Sequence, residues 1–178
     1  RVPVVLRPAA WPHAQRQAAL AELGSVHALF DGAERQVQAN LQRAEAAALV
    51  YSSGSTARPK LNVVSRRNLE VAAALQNERL GLSADDRWSW ALSPAHVGGL
   101  MVWFRCLLSG AAVVEAAPRS IFGRDPTIVS VVPAQLVRRP ALKLPASLQC
   151  ILLGGAAAPW PLVRSYRAQG LRVVRSYG

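Results

Sequence analysis

The sequence predicts an α/β fold, with mostly parallel sheets and helices on both faces. Short apolar runs alternate along the chain with stretches of helical periodicity. The runs, such as AAALVY at residues 46–51 and LQCILL at residues 148–153, are continuously apolar, which is typical of strands buried on both faces of a parallel sheet. Because 51% of the 178 residues are hydrophobic, the chain can form the core of one domain or of a large piece of one.

Capping residues and prolines set the limits of the predicted elements. Ser65 can N-cap the helix that follows it, because its side-chain oxygen can accept a hydrogen bond from a free N–H of the first turn. Gly81 follows that helix, at the position where a left-handed C-cap favours glycine, and Gly110 ends the next predicted helix. Strands are predicted at residues 2–6, 46–51, 61–64, 88–92, 111–115, 127–132, 148–153 and 171–174, and helices at residues 12–23, 33–45, 67–80, 100–108, 134–138 and 159–169.

The net charge of +11 comes almost entirely from arginine. The arginines are scattered, and no zinc-finger spacing, basic heptads or basic run with interleaved aromatics accompanies them, which favours a solvated basic surface over nucleic-acid binding. Cys106 and Cys150 lie in apolar surroundings without a nearby His or Cys, so we expect buried free thiols and a reducing cytoplasm. The sequence has no run of about 18 apolar residues, so it predicts no membrane span. We expect Trp88, Trp90 and Trp103 in the core.

Residues 51–60 (YSSGSTARPK) are the clearest candidate for a binding loop. Small hydroxyl residues surround Gly54, whose backbone freedom lets several N–H groups face one anion. Lys60 adds a positive charge suited to phosphate. By composition alone, a flexible Ser/Gly connector is an equally good interpretation. The hydroxyl residues are Ser52, Ser53, Ser55 and Thr56.

The order of residues in this loop resembles the [YF]TSGSTGxPK signature of the adenylate-forming superfamily, which includes acyl-CoA synthetases, luciferases and peptide-synthetase adenylation domains. Ala57 and Leu61 depart from it, because the family usually has Gly at the first position and Gly or Ala at the second. Residues 46–178 carry further stretches that resemble family segments in order and spacing. These are SRRNL at 65–69, LSPAHVGGL at 92–100, VPAQL at 132–136, LLGGAAAP at 152–159, and SYG at 176–178, which matches the start of YGxTE.

The combination of HVGGL, VPAQL and LLGGAAAP is most similar to the 2-succinylbenzoate–CoA ligases of menaquinone biosynthesis, although medium-chain acyl-CoA and aryl-CoA ligases share much of it. The resemblance implies a reaction in two halves. A carboxylate attacks the α-phosphorus of ATP, giving an acyl-adenylate and pyrophosphate, and the thiol of CoA then displaces AMP. The partners implied are a small carboxylic acid, ATP with Mg²⁺, and CoA.

The resemblance also assigns roles to individual residues. Thr56 and Lys60 become the main catalytic candidates at the β- and γ-phosphates. His96 would line the acid pocket, the alternative being a structural His bonded to a backbone carbonyl. Gly154, Gly155 and Ala156 would form the adenine site and Tyr177 would pack on the ring, the alternative for the first three being a plain strand-to-helix turn. Ser52, Ser53, Gly54 and Ser55 complete the nucleotide-binding set.

The sequence stops inside the YGxTE motif. In the family, the Thr for the α-phosphate, the Glu for Mg²⁺ and a small C-terminal lid domain with a catalytic lysine come later, so we assign no metal ligand. We expect residues 1–178 to be a partial AMP-binding N-terminal domain, with the motifs in 46–178, that does not complete the reaction alone. A catalytically inactive nucleotide-binding protein is the alternative that Ala57 motivates. The oligomeric state is left open, a homodimer being the form considered.

Overall fold

A computed structural model describes residues 4–6, 25–30, 33–38, 46–52, 60–116, 120–138 and 142–176. The predicted helix at residues 12–23 lies outside these ranges. In chain order the strands are β1 (Val4–Leu6), β2 (Ser25–Phe30), β3 (Ala33–Gln38), β4 (Ala46–Ser52), β5 (Lys60–Ser65), β6 (Arg87–Trp90), β7 (Ala112–Glu115), β8 (Ile128–Val131), β9 (Cys150–Leu153) and β10 (Arg172–Arg175). The helices are α1 (Arg66–Leu80), α2 (Val97–Ser109), α3 (Pro133–Val137) and α4 (Trp160–Arg167).

The chain divides into two compact units. One comprises residues 1–71 with 94–97, and the other residues 72–93 with 98–178. In the first unit β4 lies between β1, to which it is parallel, and β5, to which it is antiparallel. Strands β2 and β3 form a separate antiparallel pair.

The pairing of β2 with β3 corrects the prediction of a helix at residues 33–45. Ala33–Gln38 is a strand in register with Ser25–Phe30, and only Asp31 and Gly32 separate the two. An Asp-Gly pair between two runs is a strong hairpin signal, because both residues tolerate the positive φ of a type I′ turn. The residues AERQ favour a helix by local propensity. Pairing with Ser25–Phe30 overrides that preference.

The second unit confirms the predicted α/β architecture. Its five strands are all parallel, in the order β10-β9-β8-β6-β7. Alternate residues of the central strands face opposite sides, so Ile151 and Leu153 belong to one core and Cys150 and Leu152 to another. The first core packs against α3 and α4 through Leu136, Val163 and Tyr166. The second packs against α1 and α2 through Leu80, Val102 and Cys106.

The tryptophans fit the expectation of a core position only in part. Trp88 is fully buried on β6, where its indole N–H donates to the Ser130 hydroxyl at 3.0 Å. Trp90 is half-buried and meets Trp103 edge to face, with 5.3 Å between the ring centroids. The prediction was wrong for Trp103, which is 48% exposed because it lies on the outer side of α2.

Helix α1 begins with the cap that the sequence predicts. The Ser65 hydroxyl accepts from the Asn68 backbone N–H at 3.1 Å, and the Asn68 side-chain oxygen accepts from the Ser65 N–H at 3.3 Å. This is the reciprocal geometry of a capping box, with Asn in the place of Glu or Gln. At the other end Gly81 has φ +65°, as the expected left-handed C-cap requires.

We expect Ser65→Ala to lower the free energy of unfolding by about 1 kcal/mol, because the Asn68 N–H loses its acceptor. Urea denaturation followed by far-UV circular dichroism would measure the change. Ser65→Asp keeps an acceptor at the cap and should recover most of the loss. An unchanged urea midpoint in Ser65→Ala would show that this cap does not stabilise the helix.

Candidate active site

A hairpin brings the two ends of the predicted phosphate loop together. Strands β4 and β5 are antiparallel, and Ser52 lies directly opposite Lys60 at the end of the ladder. Residues 53–59 connect these two positions and lie outside the described residues. The roles predicted for Ser53, Gly54, Ser55 and Thr56 therefore stay predictions. The structure thus places the first and last predicted phosphate ligands as neighbours across one strand pair.

The Gly-Gly segment lies at the carboxyl edge of the five-stranded sheet, directly after β9. Gly155 has φ +75°, a conformation that favours glycine. A Cβ on Gly154 would lie 2.5 Å from the Ser176 hydroxyl oxygen, which follows β10. The backbone conformation therefore favours glycine at Gly155, while the Ser176 side chain fills the space beside Gly154, at the point where β9 and β10 end side by side. This supports the strand-to-helix turn.

A cleft of about 830 Å³ opens beside this turn. Ala156 and Ser176 line it at the carboxyl edge of the sheet, and the end of α1 lines it on the side of the second core. The cleft runs along the edge strand β10, from Arg172 at its start to Ser176 after its end, where it reaches the carboxyl edge of the sheet. Its volume is in the range of small-molecule sites. Its lining residues are Gln76, Arg79, Leu80, Leu152, Leu153, Ala156, Ala157, Ala158, Arg167, Arg172, Val173, Val174, Arg175 and Ser176.

The structure gives less information about the remaining predicted site residues, His96 and Tyr177. His96 is exposed in the turn before α2 and belongs to the first unit. Its role in an acid pocket stays a prediction. Tyr177 lies outside the described residues, and its neighbour Ser176 is the last residue that can be placed at the cleft.

Arg105 is a charged residue that the sequence interpretation missed. It lies on α2 within the second unit, only 6% exposed, with its guanidinium carbon 5.2 Å from the centre of the Trp88 ring. Its buried Nε has no hydrogen-bond partner, and burial lowers the pKa of the guanidinium to about 10. A buried cation with an unpartnered N–H donor is costly unless an anion joins it. The sequence signal that could have identified this buried charge is an arginine inside the otherwise apolar run MVWFRCLL.

The two thiols are buried and unpaired, as predicted. Burial raises the pKa of Cys106 to about 11 and also raises the pKa of Cys150. Both therefore stay protonated at neutral pH, so neither is a thiolate nucleophile. Among the described residues no group of three His, Cys, Asp or Glu side chains could hold a metal ion, and no helix is long and apolar enough to cross a membrane.

Comparison with known proteins agrees with this geometry. A sequence profile described as AMP-binding enzyme matches residues 3–178. The 2-succinylbenzoate–CoA ligase of Bacillus licheniformis is 38% identical over 143 residues, which cover 75% of this chain and 30% of that protein.

Solved structures give the same result. O-succinylbenzoate coenzyme A synthetase of Bacillus subtilis in complex with AMP superposes with a TM-score of 0.66 at 32% identity, covering 82% of this chain and 32% of that one. The same enzyme in complex with ATP and a magnesium ion superposes with a TM-score of 0.69 at 28% identity, covering 99% and 39%. This chain spans about a third of the length of these relatives.

The profile match over almost the whole chain agrees with the order of the motifs along it and with the cleft at the carboxyl edge of a parallel sheet. The chain belongs to the family of AMP-binding enzymes.

Proposed function

We propose that this chain is the motif-bearing part of the large N-terminal domain of an ATP-dependent 2-succinylbenzoate–CoA ligase. The observation that carries the proposal is the hairpin that sets Ser52 opposite Lys60 at the two ends of a Ser/Gly/Thr loop. The similarity to the Bacillus ligases supports the choice of acid. The proposal also includes a small C-terminal lid domain, which the remainder of the parent protein would supply.

In this proposal the hairpin loop holds the β- and γ-phosphates of ATP. Lys60 supplies a positive charge, and Thr56, Ser53 and Ser55 supply hydrogen-bond donors. These groups face the phosphates on which negative charge builds up as pyrophosphate leaves the α-phosphorus. Such preorganised donors stabilise the transition state without needing to reorient.

Gly154, Gly155 and Ala156 present bare backbone to the adenine, and Tyr177 packs on the ring. CoA is the thiol substrate of the second half-reaction.

Magnesium enters the proposal through the Bacillus subtilis complex, whose ligands are ATP and a magnesium ion. The described residues offer no cluster of metal ligands, so no step is assigned to the ion here. A cytoplasmic location and a homodimer are further parts of the proposal, the former resting on the two reduced, buried thiols.

Arg105 is proposed to serve the acid. The Arg105 guanidinium is a buried cation with an unpartnered Nε, which suits a carboxylate that is taken out of water. 2-Succinylbenzoate carries two carboxylates, and only one is activated in the reaction, so a second anionic group needs a cation. The role of His96 in an acid pocket is a separate part of the proposal, and it rests on the motif that contains this residue.

The test is pyrophosphate release by the parent enzyme with 2-succinylbenzoate, benzoate and a medium-chain fatty acid. We expect 2-succinylbenzoate to give the highest kcat/KM. We expect Arg105→Gln to raise the KM for that acid at least tenfold, because a hydrogen bond to a charged group contributes about 1.5–3 kcal/mol, and to leave the KM for ATP unchanged.

Arg124→Gln is the matched control, because that side chain is 95% exposed beside Asp125. A preference for benzoate or the fatty acid would reassign the enzyme to the aryl- or acyl-CoA synthetases. ATP binding without pyrophosphate release from any acid would establish the inactive alternative. An unchanged acid KM in Arg105→Gln would remove that residue from the acid pocket.

A further inference from the structure

Arg105 is held by an aromatic ring, and no described carboxylate pairs with it. Its guanidinium carbon lies over the ring of Trp88, 5.2 Å from the ring centre. Neither of the two ion pairs found among the described residues includes Arg105. A ring attracts a cation without neutralising it, whereas a carboxylate would also occupy its N–H donors. The positive charge and the unpartnered Nε donor of Arg105 therefore remain available to an incoming anion.

The Trp88 ring is itself fixed in place. Trp88 is fully buried on β6, and its indole N–H donates to the Ser130 hydroxyl at 3.0 Å. Ser130 is also buried, and it lies on β8, a strand that pairs with β6. Rotation of the indole would leave its N–H without an acceptor in an apolar interior, which is costly. This hydrogen bond therefore sets the orientation of the ring face that Arg105 meets.

The backbone at Arg105 is anchored from two sides. The side-chain amide of Asn77, on α1, donates to the Arg105 carbonyl at 2.9 Å. The Ser109 hydroxyl, on α2 itself, donates to the same carbonyl, also at 2.9 Å. These bonds hold the start of the Arg105 side chain, while the Trp88 ring holds its charged end. The guanidinium is thus oriented before any ligand arrives, as a binding site requires of its charged groups.

We propose that Trp88 is a positioning residue for the acid substrate and that Ser130 fixes its orientation. The ring holds the Arg105 guanidinium where it meets a carboxylate, and Trp88 acts through Arg105 without touching the acid. This inference rests on the proposed function, in which Arg105 binds the acid. A cation that is oriented in advance loses less conformational freedom when the anion binds, so loss of the ring should weaken binding of the acid.

The experiment measures pyrophosphate release by the parent enzyme that carries Trp88→Leu, Trp88→Phe or Ser130→Ala. We expect Trp88→Leu to raise the KM for 2-succinylbenzoate about tenfold, because the guanidinium loses its ring. Trp88→Phe keeps a ring with a weaker attraction for cations and should recover part of this loss. Ser130→Ala should raise the same KM about threefold, because the indole N–H loses its acceptor. The KM for ATP should stay unchanged in all three variants.

Ser89→Ala is the matched control for the loss of a buried hydroxyl. Ser89 is buried on β6 beside Trp88, but its hydroxyl donates to the Ile121 carbonyl and accepts from the Gly123 N–H, both at 2.9 Å. We expect this variant to unfold at lower urea concentration and to keep the acid KM of the parent within about twofold. If Ser89→Ala raised the acid KM as much as Ser130→Ala does, the effect would be one of stability and the positioning role would be refuted.

Arg105→Gln separates this inference from the proposed function. In the Arg105→Gln background we expect Trp88→Phe to leave the acid KM unchanged, since the ring then has no cation to hold. An increase in acid KM with Arg105→Gln but not with the Trp88 and Ser130 variants would overturn the positioning role and leave the proposed function intact. An unchanged acid KM in Arg105→Gln, or no pyrophosphate release with 2-succinylbenzoate, would overturn both. If Trp88→Leu does not fold, Trp88→Phe and Ser130→Ala decide the question.

Discussion

Replacing Lys60 with alanine is expected to reduce acyl-adenylate formation by the parent enzyme about 100-fold or more. Lys60 is the first residue of β5 and lies opposite Ser52, so the hairpin holds it at the mouth of the Ser/Gly/Thr loop. In the proposed reaction a cation placed there stabilises the charge that develops on departing pyrophosphate, and removal of one preorganised donor typically costs a factor of about 10²–10³ in kcat. Pyrophosphate release at saturating acid and ATP measures the effect.

The chain contains an ideal control for this substitution. Lys143 is its only other lysine, and it is exposed. We expect Lys143→Ala to keep the activity of the parent within about twofold, since surface charges away from a site contribute little. Unchanged pyrophosphate release in Lys60→Ala would remove Lys60 from the mechanism. Equal losses in both lysine variants would point to a general effect of charge.

Gly99→Ala is expected to destabilise the fold by about 1–3 kcal/mol or more, through a backbone clash. Gly99 is buried in the first turn of α2. A Cβ there would overlap the carbonyl oxygen of Ser93 and lie 2.6 Å from that of Leu92. Because both contacts are with backbone, no side-chain rotation can relieve them. Urea denaturation should show a lower midpoint with an unchanged slope.

The preceding residue provides the control. A Cβ on Gly98 would meet only the flexible end of the Leu92 side chain, at 3.3 Å. Gly98→Ala should therefore be neutral, or stabilising by up to about 1 kcal/mol through helix propensity. Equal unfolding midpoints for the two variants would show that α2 can move away from residues 92–93, contrary to the packing described here.

The same glycines show where sequence interpretation was sufficient and where it was not. The pair Gly98-Gly99 suggested a loop up to residue 99, yet α2 begins at Val97. Glycine disfavours helices in isolation, but here Gly99 is needed so that the helix can approach the backbone after β6. The close approach of Gly99 to residues 92–93 depends on how the intervening chain turns back on itself, which helix propensity does not contain.

The segments that carry the candidate site residues could be recognised because they have local signatures. The apolar runs of β8 and β9 indicated a buried parallel sheet, and the caps at Ser65 and Gly81 fixed both ends of α1. The residue order of the loop at 51–60 and of LLGGAAAP indicated nucleotide chemistry and the family, which the profile match confirms.

Other features were decided only when the chain folded. Strand pairing made residues 33–38 a β-strand and set Ser52 opposite Lys60. Packing buried Arg105 against Trp88 and gathered arginines up to 96 positions apart around one cleft. The sequence by itself determined the family and most of the strands and helices, since motifs and periodicity are carried by neighbours along the chain. The tertiary structure decided which charges meet and which lack a partner, because electrostatic energies depend on distances and burial in space.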